Sequence, residues 1–183
     1  LNFASFRRAY EVTLQALEYT SIKTIMITAE GIPERSARQL NVMAKAANKL
    51  IIGPATVGAI TPGAFKIANI GGTIDNIVKS KLHRQGSAGL VTKSGGLFNE
   101  LCNIIAMNSN GLAEGVAIGG DRFPGSTFIE HVLRMQDNPK VGYIIVLGEV
   151  GGTDEYEIIN HIQSGKITKP VIGWCIGTVA KHL

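Results

Sequence analysis

Apolar positions along the 183-residue chain follow two rhythms, one helical and one extended. Phe6, Tyr10, Leu14 and Leu17 recur at helical spacing behind Ser5, a good cap, and predict a helix to about Tyr19 with those four side chains inward. Ile22–Thr28 is short, apolar and β-branched, which predicts a buried strand. Ala29-Glu30-Gly31-Ile32-Pro33 breaks the run. Pro33 then opens a helix from about Glu34 to Asn48, with Ala37, Leu40, Met43, Ala44 and Ala47 facing inward. Leu50–Ile52 is a further strand, closed by Gly53-Pro54. Leu1-Asn2-Phe3-Ala4-Ser5 reads like the end of a strand, so the order is βαβαβ and the chain is expected to be a piece of a longer polypeptide. Short βαβ connections specify parallel strands with helices on the sheet faces and right-handed crossovers.

Residues 55–87 lack a clear period and are punctuated by Thr61-Pro62-Gly63 and Gly71-Gly72, which predicts a linker. A second series follows: strand Gly89–Thr92, turn Ser94-Gly95-Gly96, helix Leu97–Met107, strand Gly115–Ile118, loop 119–126, helix Thr127–Gln136, strand Tyr143–Leu147, loop 148–152, a helix to Ile162 and strand Pro170–Trp174. Four strands alternating with three helices predict an open, flavodoxin-like parallel sheet. The expected organisation is α/β: residues 1–60 as the C-terminal part of a Rossmann-like domain, 61–87 as an inter-domain linker, and 88–183 as a flavodoxin-like domain. No GxGxxG is present.

Composition narrows the functional classes. Hydrophobic residues are 45% and charged residues 17%, which is globular. The net charge of +4 is spread along the chain, without the clustered basic stripe and interleaved aromatics of a nucleic-acid binder, and mild positive charge suits phosphate-rich ligands. Cys102 and Cys175 belong to no CxxC pair or metal spacing, so reduced thiols in a cytosolic protein are expected. No apolar run approaches the roughly 18 residues of a membrane helix.

The candidate chemistry sits in loops after strands. Ser94-Gly95-Gly96, Gly119-Gly120-Asp121 and Gly151-Gly152 each follow a strand of the second series, and at least two lead into helix starts. Free N–H groups and the positive end of the dipole make such starts anion sites, and glycine lets a ligand approach the backbone. A purely steric role for each glycine stays open. Glu149 and Glu30 also follow strands directly, where a carboxylate can orient a histidine or take its proton; an exposed loop acid is the equal alternative. His131 and His161 fall in helices and read as surface residues, His83 in the linker and His182 near the last residue. No metal-ligand spacing, nucleophile elbow or P-loop lysine occurs.

Five motifs in register carry a resemblance over essentially the whole chain. They are Thr28-Ala29-Glu30-Gly31-Ile32-Pro33-Glu34, Ile52-Gly53-Pro54-Ala55-Thr56-Val57-Gly58, Ser94-Gly95-Gly96, Ile118-Gly119-Gly120-Asp121 with Pro124-Gly125-Ser126, and Leu147-Gly148-Glu149-Val150-Gly151-Gly152. This order resembles the succinyl-CoA synthetase α-subunit superfamily, and within it the ATP-citrate lyase family. Ala55 stands where succinyl-CoA synthetases typically have asparagine, and Asn99 where they carry tyrosine, which fits a larger tricarboxylate substrate.

The resemblance implies a CoA-binding Rossmann-like domain and a CoA-ligase domain. The implied reaction runs from citrate, CoA and ATP with Mg, through a phosphohistidine, citryl-phosphate and citryl-CoA, to acetyl-CoA and oxaloacetate. It places a citrate carboxylate on Ser94, Gly95 and Gly96 with Asn99, CoA along Thr28, Ala29 and Glu30, and the phosphohistidine against Glu149 and Glu30. Gly119, Gly120, Gly151 and Gly152 are the candidate anion loops. The family's histidine loop, Gly-His-Ala-Gly-Ala, does not occur before Leu183. The chain alone is therefore expected to be inactive and to hold no cofactor tightly. The expected partners are an ATP-grasp half and a citrate-synthase-like domain in a homo-oligomeric, cytoplasmic parent, with no nucleic acid or membrane. A succinyl-CoA or other acyl-CoA synthetase α-subunit and a non-catalytic scaffold are the competing readings.

Overall fold

A computed structural model describes residues 1–149 and 151–177; Val150 and His182 of the sequence reading lie outside the described residues. The first unit is βαβαβ, as expected. Asn2 makes a parallel bridge to Ile27, and α1 (Phe6–Glu18), β1 (Thr24–Met26), α2 (Glu34–Ala46) and β2 (Leu50–Ile52) follow, with Thr24 opposite Leu50. Buried Asn2 ties the entry strand to α1 through its Nδ2, which donates to the Ala9 carbonyl and to Thr13 Oγ1, both at 2.9 Å.

The helices meet the sheet along a narrower stripe than their sequence predicts. Ala9, Thr13 and Leu17 of α1 and Ala37, Leu40 and Ala44 of α2 are buried, whereas Phe6 is 47% and Met43 45% exposed. Alanines at the contact let each helix approach closely, which leaves the larger side chains at its flanks. Ile25, Ile27 and Ile51 fill the space beneath.

The second sheet has six strands, and here the structure differs from the expected linker. Residues 59–67 form a hairpin of β3 (Ala59–Thr61) and β4 (Phe65–Ile67), which adds antiparallel to the sheet edge with Ala59 opposite Val116. A short helix, α3 (Ile74–Lys79), follows, capped by Thr73. Three-residue strands around Pro62-Gly63 are too brief to show a period, which is why the sequence reads as irregular. Next come β5 (Ala88–Thr92), α4 (Gly95–Asn108), β6 (Leu112–Ala117), α5 (Phe128–Asp137), β7 (Tyr143–Glu149), α6 (Asp154–Gln163) and β8 (Val171–Ile176).

The spatial order β4-β3-β6-β5-β7-β8 contains four parallel strands in the flavodoxin sequence 2-1-3-4. Every residue of β5 and β6 is buried. The two faces have separate cores, one around Phe128 and the other around Phe98, both fully buried and each contributing about 2–3 kcal/mol. The dispersed lysines have local work. Lys49 Nζ donates to the Leu17 and Tyr19 carbonyls, Lys81 Nζ to those of Ala106 and Ser109, and Lys169 Nζ to those of Met135 and Asn138. Each neutralises the carbonyl end of a helix.

Candidate active site

The C-terminal ends of both sheets meet. The Gly53 N–H donates to the Ile118 carbonyl at 2.9 Å, and the Gly125 N–H donates to the Gly53 carbonyl at 2.8 Å. The Ala55 N–H reaches the Ala29 carbonyl at 2.8 Å. Thr56 Oγ1 donates to the Ala117 carbonyl, and Val57 lies against Gly95, where a Cβ would stand 2.4 Å from Val57 Cγ1. The 53–58 segment is thus the keystone between loops 29–34, 94–96 and 118–125. The sequence marks this segment as one of the five motifs and by its Gly-Pro break, but not as a keystone, because the contacts that join the loops are long-range.

In an open sheet, ligands bind where the strand order reverses, here between β5 and β7. Ser94 follows the first of those two neighbouring strands and Glu149 ends the second. Ser94 caps α4, with Oγ accepting the Leu97 N–H at 3.4 Å, and Thr92 Oγ1 donates to the Ser94 carbonyl at 2.8 Å. Gly96, in the first turn, is exposed, and a Cβ there would meet nothing within 4 Å. Lys93 Nζ crosses to Asp154 Oδ2 at 3.0 Å and joins the loop after β5 to the start of α6. Its head also lies 5.8 Å from the centre of the Phe128 ring. Glu149 is the exposed last residue of β7, with Gly151 and Gly152 just beyond it. The Gly152 N–H closes this turn on the Glu149 carbonyl at 3.1 Å.

The loop after β6 lies on the other side of β5 and carries Asp121 to Glu30. Burial pushes the Asp121 carboxyl above the usual carboxylate range. The facing Gly31 N–H opposes this, the charge of Glu30 adds to it, and the Ile32 N–H opposes it again. Asp121 Oδ2 is buried without a hydrogen-bond partner. A cavity of about 160 Å³ lies here, lined by Gly31, Ile32, Glu34, Asp121, Arg122 and Phe123. The Arg38 and Arg122 guanidinium groups stand 5.4 and 5.5 Å from the centre of the Phe123 ring. Asp121 belongs to a loop the sequence already marks, whereas Arg122 and Phe123 are additions to the candidate set.

Three sequence expectations change. Gly119 and Gly120 do not form an open anion loop: a Cβ on Gly119 would lie 2.0 Å from the Pro54 carbonyl oxygen, and the Gly120 N–H is directed at the Ala55 carbonyl at 3.3 Å. Gly119 thus serves a close backbone crossing, whereas Gly120 is exposed and a Cβ on it would meet nothing within 4 Å. Asn99 Oδ1 accepts the Gly71 N–H at 2.9 Å, and Asn76 Nδ2 donates to the Gly71 carbonyl at 3.0 Å, so Asn99 fixes the 71–73 turn beside α4. His131 is buried rather than on the surface, with Nε2 2.9 Å from Ser126 Oγ; burial first, and the Arg134 charge second, lower it to about 4. Thr28 also has internal work, as its hydroxyl donates to the Asn2 carbonyl at 3.2 Å, while Glu30 is exposed.

Four parallel strands whose switch point presents a capped helix start and an adjacent carboxylate define a class of open α/β domain, in which ligands are met at the strand ends. The chain belongs to the CoA-ligase family, whose pattern matches residues 91–182. It is 58% identical over 98% of its length to ATP-citrate synthase of Mus musculus, and 56% identical over 98% to ATP-citrate synthase subunit 1 of Sordaria macrospora. The solved structure of ATP citrate lyase from Methanothrix soehngenii in complex with citrate and coenzyme A superposes over 99% of the chain, with a TM-score of 0.95 and 51% identity. The chain spans 16% of the mouse protein, 27% of the Sordaria subunit and 29% of the Methanothrix chain.

Proposed function

We propose that this chain is the part of an ATP-citrate lyase that holds citrate and the reacting histidine. The parent enzyme converts citrate, CoA and ATP to acetyl-CoA, oxaloacetate, ADP and phosphate. The observation that carries this reading is the convergence of Ser94–Gly96 and Glu149 on neighbouring strand ends at the switch point, in a chain more than half identical to proteins named ATP-citrate synthase and to a solved ATP citrate lyase.

Each residue has a defined part. The first N–H groups of α4, opened by Ser94, Gly95 and Gly96, hold a citrate carboxylate at the positive end of the helix dipole. Asn99 acts beside them by fixing the 71–73 turn that borders the same helix start. Glu149 accepts the imidazole N–H of a histidine supplied by the parent and sets which ring nitrogen is free to carry phosphate. Glu30 meets that histidine from the opposite loop, and Thr28 and Ala29 line the CoA side. ATP with Mg supplies the phosphoryl group, whose transfer depends on positioning and charge more than on covalent help from the protein. Two free cysteines, Cys102 buried and Cys175 exposed, suit a cytoplasmic, reducing setting.

The test uses the full-length parent. ATP- and CoA-dependent acetyl-CoA formation from citrate is expected, together with an acid-labile phosphoryl adduct after labelling with γ-labelled ATP. Turnover with succinate but not citrate, or no adduct at all, overturns the reading.

A further inference from the structure

We infer that Glu155 is a positioning residue, whose carboxylate lies over Gly148 and holds the main chain of Glu149 in place for the histidine. The inference rests on the role proposed above for Glu149. Glu155 stands in the first turn of α6, and its Oε1 accepts the Glu149 N–H at 3.2 Å. The first turn of α6 carries three acids, Asp154, Glu155 and Glu157, at the positive end of the helix dipole. Asp154 is engaged by Lys93 across the switch point, while Glu155 turns back over the loop.

Gly148 supplies the second, independent observation. Its backbone is that of a strand, so nothing in its conformation calls for glycine. A Cβ there would stand 1.8 Å from Glu155 Oε1 and 2.7 Å from Glu155 Cδ. At Gly152 a Cβ would lie 3.2 Å from Glu155 Oε2. The space that glycine leaves at 148 is the space the carboxylate occupies. The Gly148–Gly152 turn therefore already has an anion of its own. An incoming phosphate would meet that charge, whereas an imidazole N–H would be drawn to Glu149 beside it. This separates the two helix starts at the switch point: α4 is left open for a substrate carboxylate, and α6 is used to fix Glu149.

A double-mutant cycle in the full-length protein tests the assignment, with Glu155→Ala, Gly148→Ala, the pair, and Glu155→Gln. Two quantities are read: amide hydrogen exchange at Glu149, and steady-state kinetics with citrate. Glu155→Ala should speed exchange at Glu149 about tenfold and lower kcat about tenfold, with KM for citrate and CoA within about twofold, as expected for one lost bond at a positioned group. Gly148→Ala should do the same, because the new methyl displaces the carboxylate. The double variant should be no worse than either single one, the mark of two changes acting on one contact. Glu155→Gln should keep most of both, since its amide oxygen still accepts the N–H. Wild-type exchange at Glu149 in Glu155→Ala, or additive losses in the pair, overturns the assignment. If the full-length protein has no activity with citrate, the proposed function fails, and the exchange measurements alone decide the role of Glu155.

Discussion

The loops after β6 and β7 flank the same strand, and both are rich in glycine, yet they use it in different ways. After β6, Gly119 and Gly125 exist because backbone and side chain from β2 and its following segment fill the space a Cβ would need. After β7, Gly151 is open, since a Cβ there would meet nothing within 4 Å, while Gly148 and Gly152 face only the flexible end of Glu155 and the Glu149 carbonyl. One loop is packed and fixes the two units together, and the other is exposed beside Glu149. Glycine content alone therefore does not mark a ligand loop; the neighbours decide.

The sharpest way to break this comparison is alanine substitution in both loops. Gly119→Ala meets an immovable carbonyl and also forces alanine into φ +113°, so it should cost about 4 kcal/mol by denaturant unfolding. Gly151→Ala keeps only the backbone penalty of φ +95° and should cost about 1 kcal/mol. Equal losses at the two positions would erase the distinction.

Why the sequence showed one loop and not the other is a matter of contact range. Helix starts are local, so Ser94 before Gly95-Gly96 is legible from spacing, and so is the parallel sheet that brings it beside Glu149. The packed character of 119–125 depends on Ile51, Gly53, Pro54 and Ala55, some seventy residues earlier, and no period records that. The β3–β4 hairpin was hidden by strands of three residues. Strand β6 begins three residues before the apolar run suggests, because Glu114 interrupts it; in the fold that carboxylate is buried and paired with Arg134 Nη1 at 2.5 Å. Glu155 has no mark in the sequence, because an acid in a helix's first turn is ordinary, and only the space over Gly148 shows where its carboxylate goes.

The packed loop should also be sensitive to pH through His131, whose ring meets Ser126 at the loop's end. Its folded value of about 4 lies below the ordinary value near 6.5. Between those values the unfolded chain binds more protons than the folded one. The stability contributed is thus complete above about pH 6.5 and is lost as pH falls through about 4, reaching about 3 kcal/mol. Urea unfolding from pH 7 to pH 4 should show this slope, and His131→Gln should remove most of it. A variant with the wild-type slope would mean that other groups carry the acid sensitivity.

The smallest effect tests whether the open loop at α4 is open for a ligand. Gly96 has an ordinary helical backbone and empty space where a Cβ would go. Gly96→Ala should therefore stabilise the fold by about 0.5 kcal/mol, since alanine loses less backbone freedom on entering a helix. A glycine that is less stable than alanine at an unobstructed site needs another reason to be there, and the proposed approach of a carboxylate to the first N–H groups of α4 supplies one. In the full-length parent the same substitution should raise KM for citrate severalfold while leaving unfolding slightly improved. Improved stability with an unchanged KM would show that nothing binds against Gly96, and the contrast between a packed and a ligand-facing loop would then rest on Glu149 alone.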